Sequence, residues 1–140
     1  KNIPQLDDNI VELKKAYENL DSFNHKSFID GAKLAFETII NAFNSGDKKT
    51  LKNLLTNEVF DAFEEEINKN NIDSESQIFS LNIEKIESVL VDQDKISIKI
   101  KFISEKFKNN DESTITKNED IWTFEKPIKS KDPNWFLAST

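Results

Sequence analysis

Residues Ile96-Ser97-Ile98-Lys99-Ile100-Lys101-Phe102 alternate without a break between apolar and polar side chains. Successive side chains of a strand point to opposite faces. This stretch therefore puts Ile96, Ile98, Ile100 and Phe102 on one side and Ser97, Lys99 and Lys101 on the other. That is the pattern of an antiparallel strand with one face on a core and one in water.

The same period extends in both directions. Upstream, Phe79, Leu81 and Ile83 alternate with Ser80 and Asn82. The phase then slips near residues 85–87, which predicts a bulge before Val89 and Val91. Asp92-Gln93-Asp94 reads as the turn between these two strands, and residues 108–113 as a second hairpin tip. A third strand is expected over about residues 114–126, with Trp122 and Phe124 inward. Residues 129–133 turn the chain into a last strand through Trp135, Phe136 and Leu137.

Ahead of the sheet the period is helical. Phe28, Ala32, Phe36, Ile39, Ile40 and Phe43 recur at three- and four-residue spacing, and Gly46 offers a C-terminal cap. Asp47 caps a short helix carrying Leu51, Leu54 and Leu55 inward. Thr56 or Asn57 opens a third, striped by Val59, Phe60, Phe63 and Ile67. Helices followed by a strand meander predict an α+β fold, with N-terminal helices packed on one face of a curved four-stranded antiparallel sheet. Such a cone-like arrangement holds a pocket between sheet and helices. The side chains placed to line it are Phe36, Ile40, Phe63, Ile67, Ile98, Ile100, Phe102 and Trp122. Residues 1–24 read as a separate amphipathic helical extension and residues 25–140 as the main domain. Ile10, Leu13, Tyr17 and Leu20 form the apolar side of the extension, after a cap at Asp7 or Asp8. That side either packs on its own domain or meets a membrane or partner.

Composition sets the limits. The chain has 140 residues, 36% hydrophobic, with 11 Phe, which suits one folded domain with a core. Its formal charge of −7 argues against a nucleic-acid partner. The absence of Cys removes disulfides and thiolate chemistry, and a single His, His25, leaves no multi-histidine metal centre. All 19 basic residues are Lys, so planar bidentate recognition of an anion is not available. No stretch approaches the ~20 apolar residues of a membrane span. The chain starts at Lys1 without any Met, which reads as a fragment or processed form whose membrane anchor can precede residue 1.

Catalytic groups are sparse. His25 has no adjacent nucleophile or carboxylate and reads as a surface or capping residue. Asp120 shares the parity of Trp122 and can face inward, yet reads more simply as a strand-end carboxylate. Glu64, Glu65 and Glu66 read as a solvated helix face. Lys126, Lys129 and Lys131 cluster near the last turn, and Lys48, Lys49 and Lys52 on the second helix. Each cluster can touch anionic headgroups at ~1 kcal/mol per lysine. The expectation is a non-enzyme with no cofactor and no metal.

Four segments together carry a resemblance. They are Phe28-Ile29-Asp30-Gly31-Ala32-Lys33 leading to Ala35-Phe36-Glu37 and Ala42-Phe43; Gly46-Asp47 with Thr50-Leu51-Lys52, Leu54-Leu55 and Glu58-Val59-Phe60; Ile103-Ser104-Glu105; and Asp120-Ile121-Trp122-Thr123-Phe124-Glu125 with Ser130-Lys131-Asp132-Pro133-Asn134-Trp135-Phe136-Leu137 and Thr140. Their order and spacing resemble the Tim44-like domain, the C-terminal domain of the peripheral import-motor subunit of the mitochondrial inner-membrane translocase and its bacterial relatives. Gly31 and Ala32 fit a long helix set close to the sheet. The family commonly shows Arg where Lys126 and Lys131 stand, so paired anion contacts at those two positions are weakened here.

The resemblance implies a cone-like fold similar to nuclear transport factor two, with a large apolar pocket. It implies binding to inner-membrane lipid, cardiolipin in particular, and a tethering role in protein translocation beside a membrane or translocase protein. The Lys-, Asn-, Ile- and Phe-rich composition fits a bacterial member at the inner membrane, peripheral or anchored. Two other readings stay open: a small-molecule carrier or pocket enzyme of the cone-shaped α+β superfamily, and a protein–protein scaffold with a filled core. With so little long-range attraction to anionic bilayers, apolar contact should dominate any lipid binding.

Overall fold

A computed structural model describes residues 2–140. After a 3-10 turn at Val11–Leu13, helix α1 spans Lys14–Asn19, α2 His25–Ser45, α3 Lys48–Lys52 and α4 Asn57–Asn68. Strands β1 (Ser76–Asp92), β2 (Lys95–Lys108), β3 (Asp111–Pro127) and β4 (Phe136–Ser139) follow. They form one antiparallel meander in the order β1-β2-β3-β4. The fold is the expected α+β arrangement.

Local chemistry sets the helix ends. The Asn24 side chain accepts from the Ser27 backbone N–H at 2.9 Å and starts α2. Its end is a Schellman motif: the N–H groups of Gly46 and Asp47 donate to the carbonyls of Phe43 and Ala42 at 3.1 and 2.8 Å. Gly46 stands at φ +71°, where L side chains are strained. Asp47 then caps α3 by accepting from both the backbone N–H and the hydroxyl of Thr50. Thr56 caps α4 through the Val59 N–H.

The register confirms the dry face of β2. Ile86, Ile100 and Trp122 lie opposite one another across β1, β2 and β3, as do Val89, Ile98 and Phe124. Lys99 and Lys101 point outward, and Lys101 pairs with Glu84 at 2.9 Å. Three register shifts interrupt β1, after Ile78, Ile83 and Ile86. The second and third fall at the predicted bulge. The first lies beside Phe79 and removes it from the inward series. Phe79 is exposed and faces the Phe107 ring, while Ile78 packs toward the core in its place. Asn109 and Asn110 both adopt positive φ at the second tip, a two-residue turn whose twist suits the strands.

Phe36 on α2 anchors the core, with ring centroids 4.6 Å from Phe102 and 4.4 Å from Trp122. The free edge of β4 is covered: the Thr56 N–H donates to the Leu137 carbonyl and the Leu137 N–H to the Leu54 carbonyl. The N-terminal segment covers part of the β1 edge, where the Ile86 N–H donates to the Asn9 carbonyl at 2.8 Å. Its side chains Ile10, Leu13, Ala16 and Leu20 are buried in the same core as α2 and the sheet. The segment therefore packs on the domain; its first residue lies outside the described residues.

Candidate functional site

An open cleft of about 820 Å³ lies where the start of α2 approaches the end of β3 and the β3–β4 loop. Phe28, Ala32, Ala35 and Leu54 contribute the helical side, and Phe124, Ile128 and Trp135 the sheet side. Residues 20–24 line it as well. The aromatic rings form a chain, with Phe23 5.6 Å from Phe28 and Phe28 5.1 Å from Trp135. Lys126, Lys129 and Lys131 also line the cleft, against one carboxylate, Asp21. A chain of net charge −7 thus presents a locally positive, apolar-floored opening.

The eight side chains expected in a pocket are elsewhere. Phe36, Ile98, Ile100 and Phe102 have no exposed surface and Trp122 is buried. They are members of the hydrophobic core itself. Ile40, Phe63 and Ile67 are half-buried against that core, and the Phe63 ring meets Phe43 at 5.1 Å. None of the eight lines the cleft. The contact face of the N-terminal segment is likewise turned inward: Leu13 has no exposed surface, Leu20 and Ile10 are buried, and Tyr17 is half-buried. Its apolar spacing reports packing on β1 and its surroundings.

Gly31 is also corrected. A Cβ added there would meet nothing within 4 Å, so this glycine does not serve a close helix–sheet approach. It lines the cleft, where a missing side chain leaves the wall low. Ala32, its neighbour, is buried as expected.

Other candidate groups are engaged or dispersed. His25 Nδ1 lies 2.7 Å from the Tyr17 hydroxyl, which engages the ring. Asp120 sits half-buried on the inner face opposite Phe102. Glu64 and Glu65 pair with Lys48 and Lys69, and Glu66 accepts from the Asn71 side-chain amide. Lys52 lies over the Phe60 ring. Among the described residues, no group of His, Asp and Glu is arranged to hold a metal ion. The carboxyls of Asp47 and Asp111 are held below the usual range by hydrogen bonds from Thr50 and Ser113. Hydrogen bonding to Glu65 raises Lys69, and hydrogen bonding to Glu84 raises Lys101. None of the four lines the cleft, and their shifts belong to caps, turns and ion pairs.

The lysine cluster is visible in the sequence, as are Phe124 and Trp135. What spacing does not show is that the β3–β4 loop folds back to set them against Phe23 and Phe28.

Comparison with known proteins adds ancestry to this geometry. Residues 12–140 match the Tim44-like domain family over nearly the whole chain. The chain belongs to that family. This Tim44-like domain is 29% identical over 130 residues to an uncharacterized protein of Rickettsia prowazekii (strain Madrid E), covering 91% of this chain and 57% of that protein. It thus spans little more than half the length of that relative. Among solved structures it is similar to the intermembrane space region of the chloroplast protein ARC6, with a TM-score of 0.47 and 11% identity over 85% of this chain and 95% of that one. It is also similar to a nuclear transport factor 2 (NTF2-like) superfamily protein from Salmonella enterica subsp. enterica serovar Typhimurium str. LT2. There the TM-score is 0.42 and the identity 7%, over 81% of this chain and 88% of that one. Tim44-like domains are membrane-associated and generally non-enzymatic. No helix among the described residues is long and apolar enough to cross a membrane.

Proposed function

We propose that this Tim44-like domain is a non-enzymatic binding and tethering module of the inner membrane, which takes a lipid or other apolar ligand in the α2–β3 cleft and works beside a membrane or translocase protein. The single observation that carries this reading is the cleft itself. An opening of about 820 Å³ with aromatic and aliphatic walls is within the roughly 300–1,000 Å³ of small-molecule sites. A filled core with no opening would have favoured a scaffold, and interacting carboxylates around the opening an enzyme. The cleft offers neither: its one carboxylate, Asp21, has no titratable hydrogen-bond partner among the described residues.

The test blocks the cleft from Gly31. Gly31→Trp places a large side chain where open space now lies and leaves the core untouched. Co-sedimentation with cardiolipin-containing vesicles should be seen for the unaltered protein and lost for Gly31→Trp. Equal sedimentation of the two proteins, both folded by circular dichroism, would exclude the cleft as the lipid site.

A further inference from the structure

Of the three lysines lining the cleft, one is unlike the others. Lys129 and Lys131 are exposed on the loop, whereas Lys126 is only 9% exposed, the single buried charged residue among those described. It occupies the inward series of β3, opposite Ile96. No described residue gives its ammonium a hydrogen bond or an ion pair. Its Nζ lies over the face of Trp135, 5.9 Å from the ring centroid. The adjacent Glu125 is turned to the opposite face, where it pairs with Lys95 at 3.6 Å. Asp132 is occupied within the loop, accepting from the Asn134 N–H at 3.0 Å.

The Lys126 stem is buried in the cleft wall while its ammonium keeps contact with water, as long cationic side chains do when they snorkel. The Trp135 ring attracts that ammonium through its quadrupole but supplies no counter-charge. The fold thus holds an unpaired positive charge at an apolar-floored cleft, and provides no ion-pair partner for it among the described residues. We infer that Lys126 is the anion subsite of the cleft. It receives the carboxylate or phosphate of a single-chain amphiphile, whose hydrocarbon lies along Phe28, Phe124 and Trp135. This rests on the ligand-binding reading above and adds the class of ligand. Lysine suits the task as a point charge that meets carboxylate and phosphate alike. The exposed Lys129 and Lys131 face water, where salt screens them, and add little discrimination.

The experiment follows tryptophan fluorescence of the full chain as it is titrated with dodecanoate, dodecyl phosphate, dodecanol and dodecyltrimethylammonium, each below its micelle concentration, and with inorganic phosphate alone. Both anionic amphiphiles should bind at least about tenfold more tightly than dodecanol, the scale of one charge-assisted hydrogen bond. The cationic amphiphile should bind more weakly than dodecanol, and inorganic phosphate should not bind. Inorganic phosphate binding as tightly as dodecyl phosphate would assign a free-anion site instead and overturn the amphiphile. Lys126→Met should erase the preference for anions and keep dodecanol binding, which also reports that the variant is folded. Lys129→Gln with Lys131→Gln should keep the preference. Equal binding of anion and alcohol by the unaltered protein overturns the subsite and leaves the apolar cleft standing. Failure of every amphiphile to bind overturns both. The headgroup series on the unaltered protein decides the matter even where a variant does not fold.

Discussion

The Tyr17 hydroxyl and His25 are joined twice: Nδ1 of His25 lies 2.7 Å from the phenolic oxygen, which also accepts from the His25 backbone N–H at 3.0 Å. One side chain of the N-terminal segment thereby ties down the first residue of α2. Between them run residues 20–24, which line the cleft. Tyr17→Phe removes both bonds while keeping the edge-to-face contact of the ring with Phe23. It should lower stability by about 1–2 kcal/mol, two net hydrogen bonds in a half-buried setting. Urea unfolding measures the loss. Faster amide exchange confined to residues 20–25 should accompany it, and unchanged exchange there would show that the tie does not hold the rim.

Phe36 has no exposed surface and contacts both Phe102 and Trp122. Phe36→Ala should cost about 3–5 kcal/mol, the sum of lost transfer energy and an unfilled cavity. Urea denaturation that shows a loss well below this range would mean that the neighbouring rings collapse into the gap.

The contrast between these two sites shows what the sequence can reveal. Alternation from Ile96 to Phe102 and the stripe from Phe28 to Phe43 fix the sheet face and the long helix, because each period is repeated often enough to leave one solution. Gly46, Asp47 and Thr56 are readable as caps since their chemistry is local. The cleft is not readable from the same signals. Apolar side chains at inward positions announce burial, and burial does not distinguish a wall from a filled interior; Phe36 and Ile100 fill, Phe28 and Trp135 line. Alternation misplaces Phe79 because a bulge after Ile78 shifts the face by one residue, and one residue is enough to reverse it. Tyr17–His25 rests on a chain reversal that no periodicity encodes.

The two glycines should respond in opposite directions. Gly31 has helical neighbours on both sides and open space at its Cβ, so Gly31→Ala should stabilise the domain by about 0.5–1 kcal/mol. Gly46 stands at φ +71°, and a Cβ added there would lie an ordinary 3.7 Å from the Ile67 side chain. Gly46→Ala therefore meets no clash and only backbone strain. It should cost about 1–2 kcal/mol. Thermal melts of the two variants at matched buffer separate the effects. A loss of stability in Gly31→Ala would mean that α2 is packed more tightly there than the open wall indicates.

Asp47 gives a pH-dependent share of stability. Its carboxyl is held below the usual value of 3.8 chiefly by the Thr50 hydroxyl and then by the Thr50 N–H. Because the folded value is the lower one, the contribution is present above the unfolded value and is lost as pH falls through the folded one. Asp47→Asn should therefore be less stable than the unaltered protein at neutral pH, with a difference that narrows below about pH 3.8. Urea unfolding at neutral pH and again below the ordinary carboxylate range measures it; a gap that is constant with pH would show that the cap does not depend on the charge.

Membrane contact through the N-terminal segment and through the cleft can be separated, though not by the substitutions that the helical spacing suggests. Leu13 has no exposed surface, so Leu13→Asp buries a carboxylate and unfolds the domain whatever the domain binds. Leu34 is the better probe. It lines the cleft from α2 and is 66% exposed, one of the large apolar side chains left in water. Leu34→Asp should leave the melting temperature within a few degrees, since a solvent-exposed helix position carries little of the core's energy. If lipid enters through this opening, the side chain passes from water into hydrocarbon on binding, a transfer of about 1.5–3 kcal/mol that the carboxylate forfeits. Vesicle affinity should then fall by roughly tenfold or more. Raising salt should remove only the share contributed by the lysines of the cleft, because apolar contact is not screened. Co-sedimentation across a salt series decides it: unchanged binding by Leu34→Asp, or complete loss of binding at moderate salt, would transfer the contact from the apolar cleft to the surface lysines.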